Sequence, residues 1–344
     1  MSKEEKIKNF DPNGIAESEN LFGLPFSADE SDTIVLPVPW EVTVSYSDGT
    51  ARAPKAVLEA SKQVDLFDPF YPDGWKRGIF MLEEDEKLVS KNLRYREVAK
   101  EYIHRLENGT LDKDKLKEVN LACEEMLNMV QGNCRSLLKK GKGIVLLGGD
   151  HSTPLGFLKA LSEVHSSFGI LQFDAHADLR EAYEGFEFSH ASIMYNALKI
   201  KEVERLVQVG IRDYCKEEFD RVKASKGRVV SFYDRTLKQE KYRGLSWEDQ
   251  CEQIVSRLPE KVYVSFDIDG LDPKLCPNTG TPVAGGFETE ELLFLLEKLV
   301  MSGRQIIGMD LNEIAPGDDE WDANVGARLL YRMCNIMNYR IEKS

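Results

Sequence analysis

Gly169-Ile170-Leu171-Gln172-Phe173-Asp174-Ala175-His176-Ala177-Asp178 is an apolar run that breaks abruptly into acids and an imidazole. Its first five residues are short and unbroken enough for a strand buried on both faces of a parallel sheet. If that strand ends near Asp174, then Asp174, His176 and Asp178 alternate along extended backbone and project to one side. Two carboxylates and an imidazole at a strand's carboxyl end form a site for a divalent cation. Open α/β sheets bind ligands at that end.

Two other stretches have the same form. Gly143–Leu147 is an apolar run ending in Gly148-Gly149-Asp150-His151-Ser152, and Val262–Phe266 runs into Asp267-Ile268-Asp269-Gly270-Leu271-Asp272-Pro273. Taken singly, each has a plain explanation: Gly148-Gly149 as a tight turn, His151 as a capping or core histidine, Asp267 and Asp269 as turn residues. Their joint occurrence decides between the readings. Of five histidines, His151 and His176 sit inside acidic strand ends, whereas His104 and His165 lack acidic company. Carboxylates gathered at one sheet edge would repel one another and resist desolvation. Two hard cations bound through oxygen and one imidazole each remove that cost, which favours manganese-like ions over thiolate-bound ones. Six ligands for two metals require bridging carboxylates, and an aspartate from each of two strands can bridge. Metals about 3.5–4 Å apart acidify a shared water and supply a nucleophile at neutral pH.

Around these ends the chain alternates strand and helix. Further strands are expected at Thr33–Val38, Arg205–Val209, Arg228–Phe232 and Gln305–Leu311. Helices are expected at Pro54–Gln63, Tyr95–Glu107, Leu111–Lys140, Pro154–Val164, Ala191–Ile200, Trp247–Leu258, Glu288–Val300 and Asn324–Asn338. Such alternation predicts an α/β fold, three layers with helices on both faces of a mainly parallel sheet. We expect an N-terminal arm over residues 1–30, on the surface or on a neighbouring subunit. A single domain over 31–344 follows, carrying a charged helical insertion at about 83–142.

Composition narrows the function. A net charge of −14 in 344 residues argues against nucleic acid and suits cationic ligands. No apolar window is long enough to cross a membrane, and the charged start is no signal peptide. Six scattered cysteines without a CxxC pair read as reduced thiols of a cytoplasmic protein.

The three strand-end motifs resemble, in order and separation, the signatures of the ureohydrolase family of arginases and agmatinases. The resemblance spans roughly residues 33–340. It implies an arginase-like α/β/α fold, two divalent cations per chain, manganese first and nickel as the alternative, and hydrolysis of a guanidino group to urea and an amine. Carried over by position, one metal would take His151, Asp174, Asp178 and Asp267, and the other His176, Asp174, Asp267 and Asp269. His190 stands where the family keeps a histidine near the leaving amine, and an unperturbed imidazole suits proton transfer. Glu313 stands where a carboxylate binds the guanidinium, its natural bidentate partner. With Asp178, these two complete the catalytic set the resemblance implies. It also implies a homo-oligomer, trimer or hexamer.

The segment Leu179–His190 looks like the agmatinase branch, lacking the asparagine and serine that arginases use for an α-amino acid. Cys215 stands where arginases carry a further aspartate. The substrate expected is therefore a small cationic guanidino compound of the agmatine type. The N-terminal half is also similar to a subgroup acting on free guanidine or guanidino acids, some members favouring nickel. Trp40, Thr43 and Tyr46 could close over a small guanidinium by cation–π attraction, or be strand-end packing residues; both readings stand. Arginase activity ranks below these. Rival classes are a zinc deacetylase, against which the full two-metal set and Glu313 speak, and a non-catalytic binder of guanidino metabolites.

Overall fold

The computed structural model describes residues 1–16 and 18–339. Among the described residues eight strands form one sheet: β1 (Thr33–Val38), β2 (Ile79–Met81), β3 (Gly143–Gly148), β4 (Phe168–Phe173), β5 (Val203–Ile211), β6 (Val229–Tyr233), β7 (Lys261–Asp267) and β8 (Gln305–Asn312). Their order is β2-β1-β3-β8-β7-β4-β5-β6, and every pairing is parallel. The helices are α1 (Lys3–Asn9), α2 (Ala53–Ser61), α3 (Glu86–Glu107), α4 (Lys113–Lys139), α5 (Leu155–Ser162), α6 (Ile193–Ala197), α7 (Lys216–Ala224), α8 (Asp234–Tyr242), α9 (Trp247–Ser256), α10 (Thr289–Met301) and α11 (Trp321–Asn338).

The strand period of two builds the layers. In β3, Ile144 and Leu146 enter one apolar cluster and Val145 and Leu147 the other, and all four are fully buried. The first cluster lies under α3, α4, α5 and α6; the second lies under α2, α9, α10 and α11. Such double-faced burial is why these strands read as unbroken apolar runs.

Order and register together position the site. β3 and β4 are consecutive in sequence but separated in the sheet by β8 and β7. The connections therefore diverge to either side, leaving a crevice at the carboxyl ends. Leu147 is level with Leu311, Leu311 with Phe266, and Phe266 with Phe173. The residues that follow, from four strands, therefore emerge side by side.

Three features differ from the sequence-based expectation. Helix α3 begins at Glu86, capped by Asp85, rather than at Tyr95. Its buried face runs Leu88, Asn92, Arg96, Ala99, Tyr102, Ile103, so two polar residues interrupt the apolar stripe. Helices α7 and α8 bury few side chains, and their charged sequences carry little periodic signal. Strand β2 is a three-residue edge strand.

In the arm, Ser2 caps α1 and Lys6 pairs with Glu30 at 2.6 Å, while Leu21, Phe22, Leu24 and Phe26 are buried in the chain's own core. Glu17 of the arm and residues 340–344 of the expected domain lie outside the described residues. No helix among the described residues is long and apolar enough to cross a membrane.

Candidate metal centre and substrate cavity

After β3 the chain turns through Gly149, whose amide donates to Val38 O while Asp150 N donates to Trp40 O. A Cβ at Gly149 would lie 2.0 Å from Trp40 O, so only glycine admits this crossing. The turn delivers His151 to the crevice. From β4 come Asp174, His176 and Asp178, and from β7 come Asp267 and Asp269. Asp178 and Glu313 adopt positive φ, 54° and 63°, conformations that non-glycine residues hold only where surrounding structure enforces them.

The six side chains meet. His151 Nδ1 lies 3.0 Å from Asp174 Oδ2, 3.0 Å from Asp178 Oδ2 and 3.3 Å from Asp267 Oδ2. His176 Nδ1 lies 2.9 Å from Asp269 Oδ2 and 3.6 Å from Asp174 Oδ1. Two donor groups thus share Asp174: His151 with Asp174 and Asp267, and His176 with Asp174 and Asp269. His151 Nδ1 is buried and makes no hydrogen bond despite its three carboxylate neighbours. The other ring nitrogen, Nε2, lies 2.9 Å from Ser265 Oγ, and Ser265 donates to Asp310 Oδ1 at 3.2 Å. In the neutral ring Nε2 carries the proton, and the Nδ1 lone pair faces carboxylate oxygens. That arrangement demands a cation and suits a metal ion held by one imidazole and several carboxylates. The donor set fits.

The electrostatics agree. Burial, then Asp269 and Asp174, push Asp267 well above the usual carboxylate range. Burial and Asp174 raise Asp178 to about 8. Asp174 is held low: burial opposes its charge, but the imidazoles of His151 and His176 outweigh it. Burial also opposes charging of those two rings, yet Asp174, Asp178, Asp267 and Asp269 raise both well above the ordinary imidazole value. Positive charge is what the cluster lacks.

A cavity of 440 Å³ opens over His176 and Asp178, walled by Ser45, Tyr46, Tyr183, His190 and Thr281, with Asp213 at its rim. His190 faces it, its ring edge-on to Tyr183; burial and the two imidazoles depress its pKa to about 4, below the unperturbed value. Glu313, buried, is not among the lining residues. Its Oε1 accepts from His151 N at 2.8 Å, and a Cβ on Gly280 would come within 3.3 Å of Oε2 and 4.0 Å of Ser47 O. Burial, then Asp150, raise the Glu313 pKa well above its usual range, and no lysine or arginine among the described residues pairs with it. Trp40 and Thr43 are both fully buried and do not line the cavity; Tyr46, 80% exposed, does.

Several supporting residues are not singled out by the sequence pattern. Gln172 donates to Asp174 Oδ2 at 2.7 Å, Gln208 to Gln172 Oε1 and Ser231 to Gln208 Oε1. A glutamine inside an otherwise apolar strand is the signal that could have pointed to this chain. Arg212 donates to the carbonyls of Asp269, Leu271 and Val283, tying the loop after β7 to a cavity wall.

The family model for the arginase family matches residues 31–335. N(1)-aminopropylagmatine ureohydrolase of Thermus thermophilus is 32% identical over 308 residues, 90% of this chain and 91% of the relative. Agmatinase of Bacillus subtilis is 28% identical over 308 residues, 89% and 91% of the two chains. The crystal structure of agmatine ureohydrolase of Thermoplasma volcanium superposes with a TM-score of 0.71 over 97% of each chain, at 23% identity.

Proposed function

This chain belongs to the arginase family and is a hydrolase of carbon–nitrogen bonds in amidines, and on that premise we propose that its substrate is an agmatine-like ω-guanidino amine. The products are urea and a primary amine. We assign one divalent cation to His151, Asp174, Asp178 and Asp267 and a second to His176, Asp174, Asp267 and Asp269, with manganese preferred to nickel for this oxygen-rich set. The observation that carries the reading is His151 Nδ1, buried, unbonded and facing three carboxylates. When bound, the cation pair would lower the pKa of a water and so supply hydroxide at neutral pH.

The chain's own residues do the rest. Glu313, a buried carboxylate without a cationic partner among the described residues, binds the guanidinium, whose positive charge favours the ionised carboxyl. Asp178, held at the cavity wall, orients the attacking water by accepting its hydrogen bond. The water oxygen bonds to the guanidinium carbon, the bond to the substituted nitrogen breaks, and that nitrogen takes both water protons, one after the other, to leave as the ammonium. His190, neutral at pH 7, relays them. Asp213 at the rim suits a cationic tail. Arg180, also in the wall, favours a second reading, a guanidino acid with a carboxylate tail.

Trp40 and Thr43 contribute as supports beneath the pocket in this reading, Trp40 through its carbonyl on Asp150. The buried unpaired cysteines fit a reducing, cytoplasmic setting. A homotrimer or hexamer, with residues 1–30 as an arm and 31–344 as one domain, completes the proposal. Urea release screened over agmatine, arginine, guanidinobutyrate, guanidinopropionate and guanidine, with manganese and with nickel, tests it. Agmatine with manganese is expected to lead; acetate release from acetylated amines without urea would overturn it.

A further inference from the structure

Helices α3 and α4 contribute no residue to the cavity lining, yet their polar side chains end on two of the loops that wall it. We propose that this helical pair is a brace that shapes the substrate cavity, with Arg96 its main positioning residue. The inference deepens the reading of the cavity as a guanidino-substrate site and rests on it.

The first wall is the irregular loop 41–49, which carries Ser45 and Tyr46. Arg96 Nη1 donates to Val44 O at 2.5 Å and to Val42 O at 3.2 Å, and Nε and Nη2 donate to Asp48 Oδ1 at 3.0 and 2.5 Å. Asn92, one turn earlier, accepts from Glu41 N at 2.7 Å, and Lys100, one turn later, pairs with Asp48 at 2.7 Å. Residues 92, 96 and 100 therefore form one helix row along the loop. Within the loop, Glu41 Oε2 accepts from Gly49 N and Ala51 N, closing the far end. Ser47 O and the Glu313 carboxylate border the same gap beside Gly280, so a shift of this loop changes the space offered to the guanidinium.

The second wall is the turn at 183–187. Tyr102 donates to Glu184 O at 2.8 Å, and Asn120 both donates to Gly185 O and accepts from Glu187 N. The rings of Tyr102 and Phe186 also pack in a tilted pair, centroids 5.2 Å apart. Glu184 and Gly185 both have positive φ, so the turn is held in a conformation that needs such anchors. Buried Asn and Arg interrupt the apolar stripe of α3 where leucines would satisfy packing alone. A rigid guanidinium fork that reaches two carbonyls and a carboxylate at once fixes backbone; a leucine cannot.

The test uses the intact chain loaded with manganese. Arg96→Gln and Arg96→Lys are compared with Asp48→Ala, which removes the anchor from the loop side at a carboxylate 42% exposed and so spares the fold. Backbone hydrogen exchange over 41–51 is expected to accelerate at least ~10-fold in Arg96→Gln and Asp48→Ala, with Arg96→Lys intermediate. Displacements near 1 Å cost on the order of 100-fold in a positioned reaction. kcat/KM for agmatine should therefore fall ~10–100-fold with KM raised, and the preference among ω-guanidino amines of different chain length should flatten. Unchanged KM and preference, whether exchange accelerates or not, would overturn the brace, as would altered KM without faster exchange. If Arg96→Gln fails to fold, Asp48→Ala decides by the same criteria. If the parent releases no urea from any guanidine, the substrate reading fails instead, and with it the inference about specificity.

Discussion

Replacing Asp267 by Asn removes one carboxylate charge from the cluster while keeping its shape. In the metal-free protein burial, Asp269 and Asp174 hold Asp267 well above the usual carboxylate range, so the fold disfavours its charged form. Asparagine can still accept the Asp269 amide that Asp267 Oδ1 accepts at 2.8 Å. The metal-free variant should therefore melt within ~1 kcal/mol of the parent or above it, since the charge it removes is one the fold disfavours. The metal-loaded proteins should differ sharply. A ligand present at 100 times its Kd stabilises by about 2.7 kcal/mol per site, so two cations contribute about 5 kcal/mol. For a chain of 344 residues at ~2.1 cal/mol/K of unfolding entropy per residue, that is a rise in Tm of ~7 °C. Because Asp267 is assigned to both cations, the variant should keep less than half of that rise and release no urea. Calorimetry with and without manganese, beside a urea assay, reads both effects. A variant with the parent's full metal-induced shift and full turnover would refute the bridging role.

Other consequences follow from the same geometry. In the metal-free protein, Asp178 is raised to about 8, and Asp267, Glu313, His151 and His176 are all raised; Asp174 is lowered, and His190, lowered to about 4, opposes them in the acid part of the range. Raised groups bind more protons when folded, so stability should fall as pH rises from about 4 to about 8. Melting in a chelator across that window checks it, and a flat or rising profile contradicts it. Gly149→Ala places a Cβ 2.0 Å from Trp40 O, so denaturation should show a loss of ~3 kcal/mol or more. Gln172→Leu removes the donor to Asp174 Oδ2, and equilibrium dialysis should find metal affinity lowered ~10–100-fold in a folded protein.

The central strand and its two counterparts were readable in the sequence because burial on both faces leaves unbroken apolar runs, and the acids that end them stand out by contrast. The α/β/α layering follows from the alternation of such runs with helices. The separation of β3 from β4 by β8 and β7 was not readable, since strand order is set by contacts far apart in the chain. The first nine residues of α3 escaped notice for a reason that bears on function: Asn92 occupies a buried position where the helical pattern expects an apolar group. Helices α7 and α8 escaped for the opposite reason, as largely solvated elements that bury little. His190 and Glu313 could be singled out only through family resemblance. Their loops take their place from tertiary contacts, and neither residue lies in a local pattern that announces chemistry.

Stepwise titration of the metal-free chain with manganese, reading bound metal and urea release from agmatine together, tests the binuclear centre most directly. Urea release should rise chiefly with the second equivalent and level off at two ions per chain. Saturation at one ion, or release that is undiminished with none bound, would contradict it.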